Sequence, residues 1–238
     1  MGLIELNADV GEGCDDAGLM PYLDRVSIAC GGHAGDAASM LAALRLAASH
    51  GVAAGAHPGY PDRANFGRRP LPAPPAAIRA WVIGQIEALA EQAQRLGLHL
   101  AHVKPHGALY NVAACDPAVA QAVAEAIVAV DRRLILIGLS GGRLIEAGRA
   151  AGLGVLSEAF ADRRYRAVDA LVSRETPGAV IHDPAAAAEQ AVALAGGLGV
   201  RSPEGAHLPV TADTLCLHSD TPRAVEIARV VHAALRAR

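Results

Sequence analysis

Lys104 is the only lysine among the 21 lysine and arginine residues of the chain, and it lies in the stretch AHVKPHG, between two histidines. A lysine ammonium is a compact cation with three donors whose pKa shifts readily on burial, whereas arginine presents a planar fork. We therefore predict a catalytic role for Lys104, as the anchor for a carboxylate or phosphate of the substrate. The alternative is that Lys104 is a leftover of codon bias and forms an ion pair inside the fold.

Further acids and histidines follow short apolar runs elsewhere in the chain. His57 in GAHPGYPD and His106 in HVKPHG are candidate acid–base catalysts, because imidazole titrates near the working pH of most enzymes. Asp9 in NADVGEG is a third catalytic candidate, as a base. Asp9 and Glu12 are also candidate metal ligands, although their spacing alone identifies no metal.

The remaining polar clusters supply candidates for substrate binding. These candidates are Glu12, His33, Glu158, Asp162, Arg163, His218 and Asp220. We expect Glu158 to pair with Lys104. Asp9, His33 and His57 together would form a carboxylate-and-imidazole site for a divalent metal. The chain has no H-E-x-x-H motif, so the presence and identity of a metal stay open.

These side chains need elements that bring them together. Short runs rich in Val, Ile and Leu alternate with alanine-rich helical patterns, which is typical of β/α units on a parallel sheet. Strands are predicted over residues 3–8, 26–30, 52–56, 98–103, 134–138, 154–156 and 214–217. Helices are predicted over 37–50, 75–96 and 184–195. Three further helices are predicted by one end each: one begins at Asp116-Pro117, one ends near Gly152, and one begins at Thr221-Pro222. A hairpin is predicted near 200–210.

The pattern predicts an α/β fold, a seven-stranded parallel β/α barrel of the TIM type, as a single domain over residues 1–238. A doubly wound open sheet is the alternative, because periodicity does not separate the two. In a barrel the loops after the strands share one rim, where catalysis takes place. That rim would collect five of the ten histidines. They are His33, His57, His102, His106 and His218.

Composition excludes several classes of protein. The net charge is −3 and aromatic residues make up 3% of the chain, so there is no basic, base-stacking surface for nucleic acid. The four cysteines are far apart, which indicates free thiols in a reducing compartment. The first residues lack the basic region of a signal peptide, and no apolar run approaches the roughly 20 residues that cross a membrane. We expect a cytoplasmic protein that binds neither nucleic acid nor membrane.

Six stretches together resemble a known family. In order they are NADVGEG, IACGGHAGD, GAHPGYPDRANFGRR, HVKPHGALYN, EAFADRRY and LHSDTP. They resemble the LamB/YcsF family, understood as the A subunit of the bacterial ATP-dependent 5-oxoprolinase, and the resemblance extends from Leu3 to about Pro222. It implies a barrel similar to the glycoside hydrolase/deacetylase superfamily. It also implies opening of the lactam 5-oxoproline (pyroglutamate) to glutamate, coupled to ATP hydrolysis.

The resemblance further implies two partner subunits that are similar to the halves of allophanate hydrolase. The chain has no G-x-x-x-x-G-K-[ST] motif, so we expect ATP to be bound wholly or partly by those partners. Two alternatives to this function remain. The chain would act alone as a metal-dependent deacetylase or amidohydrolase, or it would be a non-catalytic subunit that binds a lactam.

Overall fold

The computed structural model describes residues 4–237, and its centre is a closed barrel of seven strands. The barrel strands are β1 (Glu5–Val10), β2 (Arg25–Ala29), β3 (Ala53–His57), β4 (His102–Val103), β5 (Ile135–Leu139), β6 (Val155–Phe160) and β11 (Thr214–Leu217). Around the barrel they follow the order β1-β11-β6-β5-β4-β3-β2. Every neighbouring pair is parallel. The predicted seven-stranded parallel barrel is therefore confirmed, and the open sheet is excluded.

Helices surround the barrel. They are α1 (Asp16–Leu19), α2 (Ala37–His50), α3 (Pro75–Arg95), α4 (Gly107–Cys115), α5 (Pro117–Val130), α6 (Arg143–Ala150), α7 (Pro184–Ala195) and α8 (Ala224–Arg236). Two small antiparallel pairs lie outside the barrel. They are β7 (Tyr165–Ala167) with β8 (Ala170–Leu171), and β9 (Val200–Arg201) with β10 (His207–Leu208). The second pair lies in the segment where the hairpin was predicted.

Local sequence signals account for several helix ends. The Asp36 carboxylate accepts from the backbone N–H of Ser39, and the Ser39 hydroxyl closes a capping box at the start of α2. The carboxylates of Asp116 and Asp183 also accept from backbone N–H groups, at the starts of α5 and α7, and each is followed by a proline in the first turn. Gly51 ends α2 with a φ of +67°, in the left-handed region that glycine adopts without strain.

Several predicted boundaries were wrong for identifiable reasons. Helix α4 was not predicted. Asp116 both ends α4 and caps α5, so the sequence of the two helices was interpreted as a loop followed by one helix. Strands β1 and β6 extend further than predicted because each carries a charged residue, Asp9 or Glu158, inside the strand. Strand β4 is only two residues long. Leu3 of the first predicted strand lies outside the described residues.

The last helix also begins later than predicted. It starts at Ala224 rather than at Thr221-Pro222, and its N-cap is Arg223, whose φ of +63° is in the left-handed region. The hairpin β7–β8 was not predicted. Among residues 4–237 no single helix is long and apolar enough to cross a membrane. Only α4 and α5 taken together reach that length and hydropathy, and they meet at 116°.

Candidate active site

A cleft of about 850 Å³ opens at the carboxyl ends of the barrel strands. The side chains at its floor come from β1, β3 and the segments that follow β1 and β4. Those side chains are Asp9, Glu12, His57, Lys104 and His106. Residues separated by almost one hundred positions thus meet around one cavity, because parallel strands in a closed barrel all end at the same rim.

Lys104 is the hub of a buried polar cluster. Its ammonium nitrogen lies 2.9 Å from Asp9 Oδ1 and 2.8 Å from Glu158 Oε1. It also lies 3.1 Å from Asn7 Oδ1 and 3.2 Å from Cys216 Sγ. An ammonium has three protons, and four acceptors surround them here. The predicted pair with Glu158 is confirmed, and Lys104 does form an ion pair inside the barrel.

The opposite charges of this cluster stabilise the ionised forms of Asp9 and Lys104. Burial alone would raise the pKa of Asp9, but the positive charges of His57 and Lys104 outweigh it and hold that pKa well below its usual value. Burial would lower the pKa of Lys104, but Asp9 and Glu158 keep it well above its usual value. Asp9 is consequently a carboxylate and Lys104 an ammonium at neutral pH.

Three histidines and one glutamate form a second cluster beside the first. Glu12 Oε1 lies 2.7 Å from His33 Nε2, 3.3 Å from His106 Nδ1 and 3.8 Å from His57 Nε2. The rings of His33 and His106 stack with centroids 3.5 Å apart and planes within 4°. Gly11 and Gly13 flank Glu12 with φ values of +76° and +88°, so the loop takes a sharp path that glycine permits.

The hydrogen bonds of two histidines fix which nitrogen faces this cluster. His57 Nδ1 donates to the backbone oxygen of Lys104 at 2.7 Å, and His106 Nε2 donates to the backbone oxygen of Phe66 at 2.9 Å. In the neutral rings, His57 Nε2 and His106 Nδ1 therefore carry lone pairs. Those two atoms lie 3.0 Å apart and both face Glu12. The two nitrogen lone pairs and the Glu12 carboxylate repel one another, so a cation between them would stabilise the arrangement.

This donor set fits a divalent metal ion. One ligand atom from each of Glu12, His33, His57 and His106 lies within 4.8 Å of all the others. Three imidazole nitrogens and a carboxylate oxygen suit a transition metal such as zinc. A histidine that binds a metal usually donates its other ring N–H to a carbonyl or carboxylate, as His57 and His106 do here.

Burial favours the neutral, metal-binding form of two of the three histidines. Burial lowers the pKa of His33 to about 4 and also lowers the pKa of His106, so both rings are neutral near pH 7. Burial opposes the charged form of His57, but the carboxylates of Asp9 and Glu12 outweigh it and raise its pKa. The predicted metal set was Asp9, His33 and His57, whereas the cluster in the structure has Glu12 in place of Asp9 and adds His106. Lys104 holds one Asp9 oxygen, and the other lies 3.3 Å from His57 Nε2.

A carboxylate–imidazole pair lies on the other side of the cleft. Asp162 accepts from the backbone N–H of His218 at 3.0 Å and from His218 Nδ1 at 2.9 Å. Phe160 stacks on the His218 ring with planes within 10°. Burial would raise the pKa of Asp162, but His218 outweighs it and lowers that pKa. With Nδ1 bound to the carboxylate, Nε2 is the free nitrogen of a ring that lines the cleft.

Asp220 lies at the mouth of the cleft rather than at its floor. Its carboxylate pairs with Arg68 from the loop after β3 and, at 3.0 Å, with Arg174 from the segment after β8. Three loops are tied together at this one carboxylate. Arg163 also lines the cleft and is buried. His102, predicted at the rim, lies instead inside the barrel, where its Nε2 is 3.1 Å from Ser27 Oγ.

Three residues of the Lys104 cluster were not predicted from the sequence. Tyr110 donates its hydroxyl to Glu158 Oε2 at 2.7 Å, and Asn7 and Cys216 contact the ammonium. The alternation of side chains along a strand could have identified Asn7, because Asn7 lies two positions before Asp9 and therefore on the same side of β1. Tyr110 could be found only by recognising α4.

Comparisons with known proteins agree on one family. The LamB/YcsF family profile matches residues 4–238. A protein named as the A subunit of 5-oxoprolinase, from Chloroflexus aggregans, is 49% identical, covering 98% of this chain and 95% of the relative. Another of that name, from Geobacillus thermodenitrificans, is 46% identical, covering 99% and 94%.

Solved structures are also similar to this chain. The structure of a lactam utilization protein from Thermus thermophilus superposes with a TM-score of 0.93 at 42% identity, covering 99% of this chain and 97% of that one. A putative cellobiose-phosphate cleavage protein from Enterococcus faecalis has a TM-score of 0.54 at 13% identity, covering 98% and 93%. The second likeness extends to the fold alone.

Proposed function

The chain belongs to the LamB/YcsF family, and on that premise we propose that it is the A subunit of a 5-oxoprolinase that opens 5-oxoproline to glutamate. The observation that carries the proposal is identity of 46–49%, over nearly the full length, to proteins named as that subunit. The cleft adds a chemical rationale. It combines an ionised acid, a histidine with a free nitrogen and a candidate metal centre, which are groups that amide hydrolysis uses.

Ring opening needs a base that activates water. We assign this role to Asp9, whose side chain is 13% exposed at the cleft floor. Lys104 keeps Asp9 ionised and holds its Oδ1 atom, so that Oδ2, which lies 3.3 Å from His57 Nε2, is the oxygen that would accept a proton from water. Tyr110 holds Glu158 in place and Asn7 holds Lys104 in place, so both residues position Asp9 indirectly.

The ring nitrogen needs a proton when the C–N bond breaks. We assign this donor to His218, whose Nδ1–H stays with Asp162. Its Nε2 would first take up a proton from solvent in the cleft, and the resulting imidazolium would pass that proton to the ring nitrogen. Glu12, His33, His57 and His106 would hold a divalent metal. When bound, such an ion polarises a carbonyl oxygen or acidifies a water molecule.

Coupling to ATP and the two partners belong to the same proposal. A lactam is a poor electrophile, and phosphorylation of the amide oxygen would activate its carbon. This chain has no P-loop motif, so the nucleotide is assigned wholly or partly to the two partner subunits. Those partners would resemble the halves of allophanate hydrolase.

Reconstitution tests the proposal. This chain is mixed with the two partner subunits, 5-oxoproline, ATP and magnesium, and glutamate is measured. We expect glutamate only in the complete mixture. Asp9→Asn should lower the rate by roughly 10²–10⁴-fold, as expected for loss of a general base, whereas Glu91→Gln, at an exposed position on α3, should not change it. No glutamate from three well-folded subunits, or full activity of Asp9→Asn, contradicts the assignment.

The His/Glu cluster supports a second candidate, a metal-dependent amide hydrolase that acts alone. This candidate requires turnover by the isolated chain without ATP, abolished by a chelator and restored by zinc or manganese. A non-catalytic lactam-binding role requires instead that Asp9→Ala and Lys104→Ala leave the turnover of the complex intact. The same preparations distinguish all three functions.

A further inference from the structure

Arg163 is a buried cation, and no residue in the described range 4–237 forms an ion pair with it. The residue is 6% exposed and lines the cleft. Its Nη2 donates to the backbone oxygen of Val172 at 2.7 Å, while Nε is buried and has no hydrogen-bond partner within residues 4–237. No carboxylate oxygen of the described chain lies within 4.0 Å of its guanidinium nitrogens.

The other arginines around the cleft are neutralised or exposed. Arg68 and Arg174 share the carboxylate of Asp220, and Arg166 lies on the exposed side of β7. Asp162, next to Arg163 in the chain, is occupied, because both of its oxygens contact His218. Arg163 is therefore the buried guanidinium of this cleft that is left for an anion from outside the protein.

A buried guanidinium without a partner is costly, because desolvation opposes its charge. Burial, together with repulsion from Arg174, outweighs the attraction of the Asp162 charge and lowers the pKa of Arg163 to about 10, and the group is still charged at neutral pH. A carboxylate would restore the missing interaction and match the fork of the guanidinium with two oxygens. Such sites are common where a protein recognises a small planar anion.

The opposite side of the cleft floor cannot take this role. Lys104 already meets four acceptors from the protein. Asp9 and Glu12 are carboxylates and repel an anion. A substrate that carries one carboxylate would thus place that group toward Arg163 and its lactam ring toward Asp9.

We propose that Arg163 binds the carboxylate of the substrate and so makes the site selective for lactams that carry a carboxylate. This inference rests on the proposed function and assigns to Arg163 the anchoring role that the sequence suggested for Lys104. It predicts discrimination between 5-oxoproline and its neutral carboxamide, 5-oxoprolinamide, which differ only in the charge of that group.

The test uses the complete complex and compares Arg163→Gln with Arg166→Gln. Both variants remove one positive charge from the same segment, but only the first removes a buried guanidinium. We expect Arg163→Gln to raise the KM for 5-oxoproline about 30-fold or more, the usual result of truncating one partner of a buried charged pair. In Arg163→Gln, the KM for ATP and the inhibition constant of 5-oxoprolinamide should change less than about threefold. Arg166→Gln should change the KM for 5-oxoproline by less than about threefold, because an exposed charge contributes little.

Thermal unfolding separates binding from a structural role. Without substrate, Arg163→Gln should unfold at the same temperature as the parent or higher, because it removes an uncompensated buried charge. Arg163→Lys, which retains the charge but not the fork, should raise the KM for 5-oxoproline less than Arg163→Gln does. An unchanged KM for 5-oxoproline in both variants, or a raised KM for ATP alone, overturns the inference. Failure of the parent complex to form glutamate contradicts the proposed function instead.

Discussion

Replacing Lys104 with methionine tests the buried cluster most directly. Methionine fills a similar volume but leaves Asp9 and Glu158 facing each other without the ammonium that lies within 3 Å of both. Breaking a buried ion pair from one side typically costs about 3–5 kcal/mol. Glu158 is completely buried, so we expect a loss near the upper end. For 238 residues, the entropy of unfolding is about 0.5 kcal/mol per kelvin, and the melting temperature should fall by about 8–10 °C.

The assay is urea and thermal unfolding followed by circular dichroism. The matched control is Arg95→Met, which removes the cation of an ion pair with Glu91 whose side chains are 59% and 60% exposed. Exposed pairs contribute about 0–1 kcal/mol, so the control should unfold almost like the parent. A cost below about 1 kcal/mol for Lys104→Met would refute the reasoning, because the carboxylates would then not depend on the ammonium.

A double-mutant cycle sharpens this result. Glu158→Gln removes one of the two carboxylates while retaining the shape of the side chain. Lys104→Met should therefore cost at least about 1 kcal/mol less in the Glu158→Gln background than in the parent, since contacting charges couple by about 0.5–3 kcal/mol. Additive costs would contradict a direct interaction between the two side chains.

Three further predictions concern other parts of the site. Glu12→Gln should lower zinc affinity by at least about tenfold, measured by competition with a chromophoric chelator, with Glu91→Gln unchanged; equal affinity in both variants contradicts the metal assignment. Tyr110→Phe should lower the free energy of unfolding by about 1–3 kcal/mol, because a buried carboxylate oxygen loses its donor, and no measurable loss contradicts that role. In maleimide labelling followed by mass spectrometry, the exposed Cys115 should react first; Cys30, whose pKa burial raises to about 12, should react only on unfolding.

The barrel was predictable because its signals are local and repeated. Runs of apolar residues alternate with helical patterns, and aspartates such as Asp36 and Asp116 mark helix starts directly. Convergence of the strand ends then follows from closure alone, so the meeting of Asp9, His57 and Lys104 needed no knowledge of side-chain packing.

The pairing within the site was not predictable in the same way. Asp9 and Glu12 lie three positions apart but have different partners. Asp9 lies in a strand beside Lys104, whereas Glu12 lies in a glycine-flanked loop beside the histidines. Those directions depend on backbone angles that composition does not reveal. Likewise, the missing counter-ion of Arg163 is visible only once the positions of all neighbouring carboxylates are known.

The barrel closes where β1 pairs with β11, from Glu5 opposite Thr214 to Ala8 opposite Leu217. The ammonium of Lys104 therefore depends on Asn7, 97 residues earlier, and on Cys216, 112 residues later. During synthesis on the ribosome, the charged interior stays open to water until the final strand has emerged and docked. Contacts this distant in sequence form slowly, and a chain that ended before β11 would lack both one barrel strand and the Cys216 contact of the ammonium.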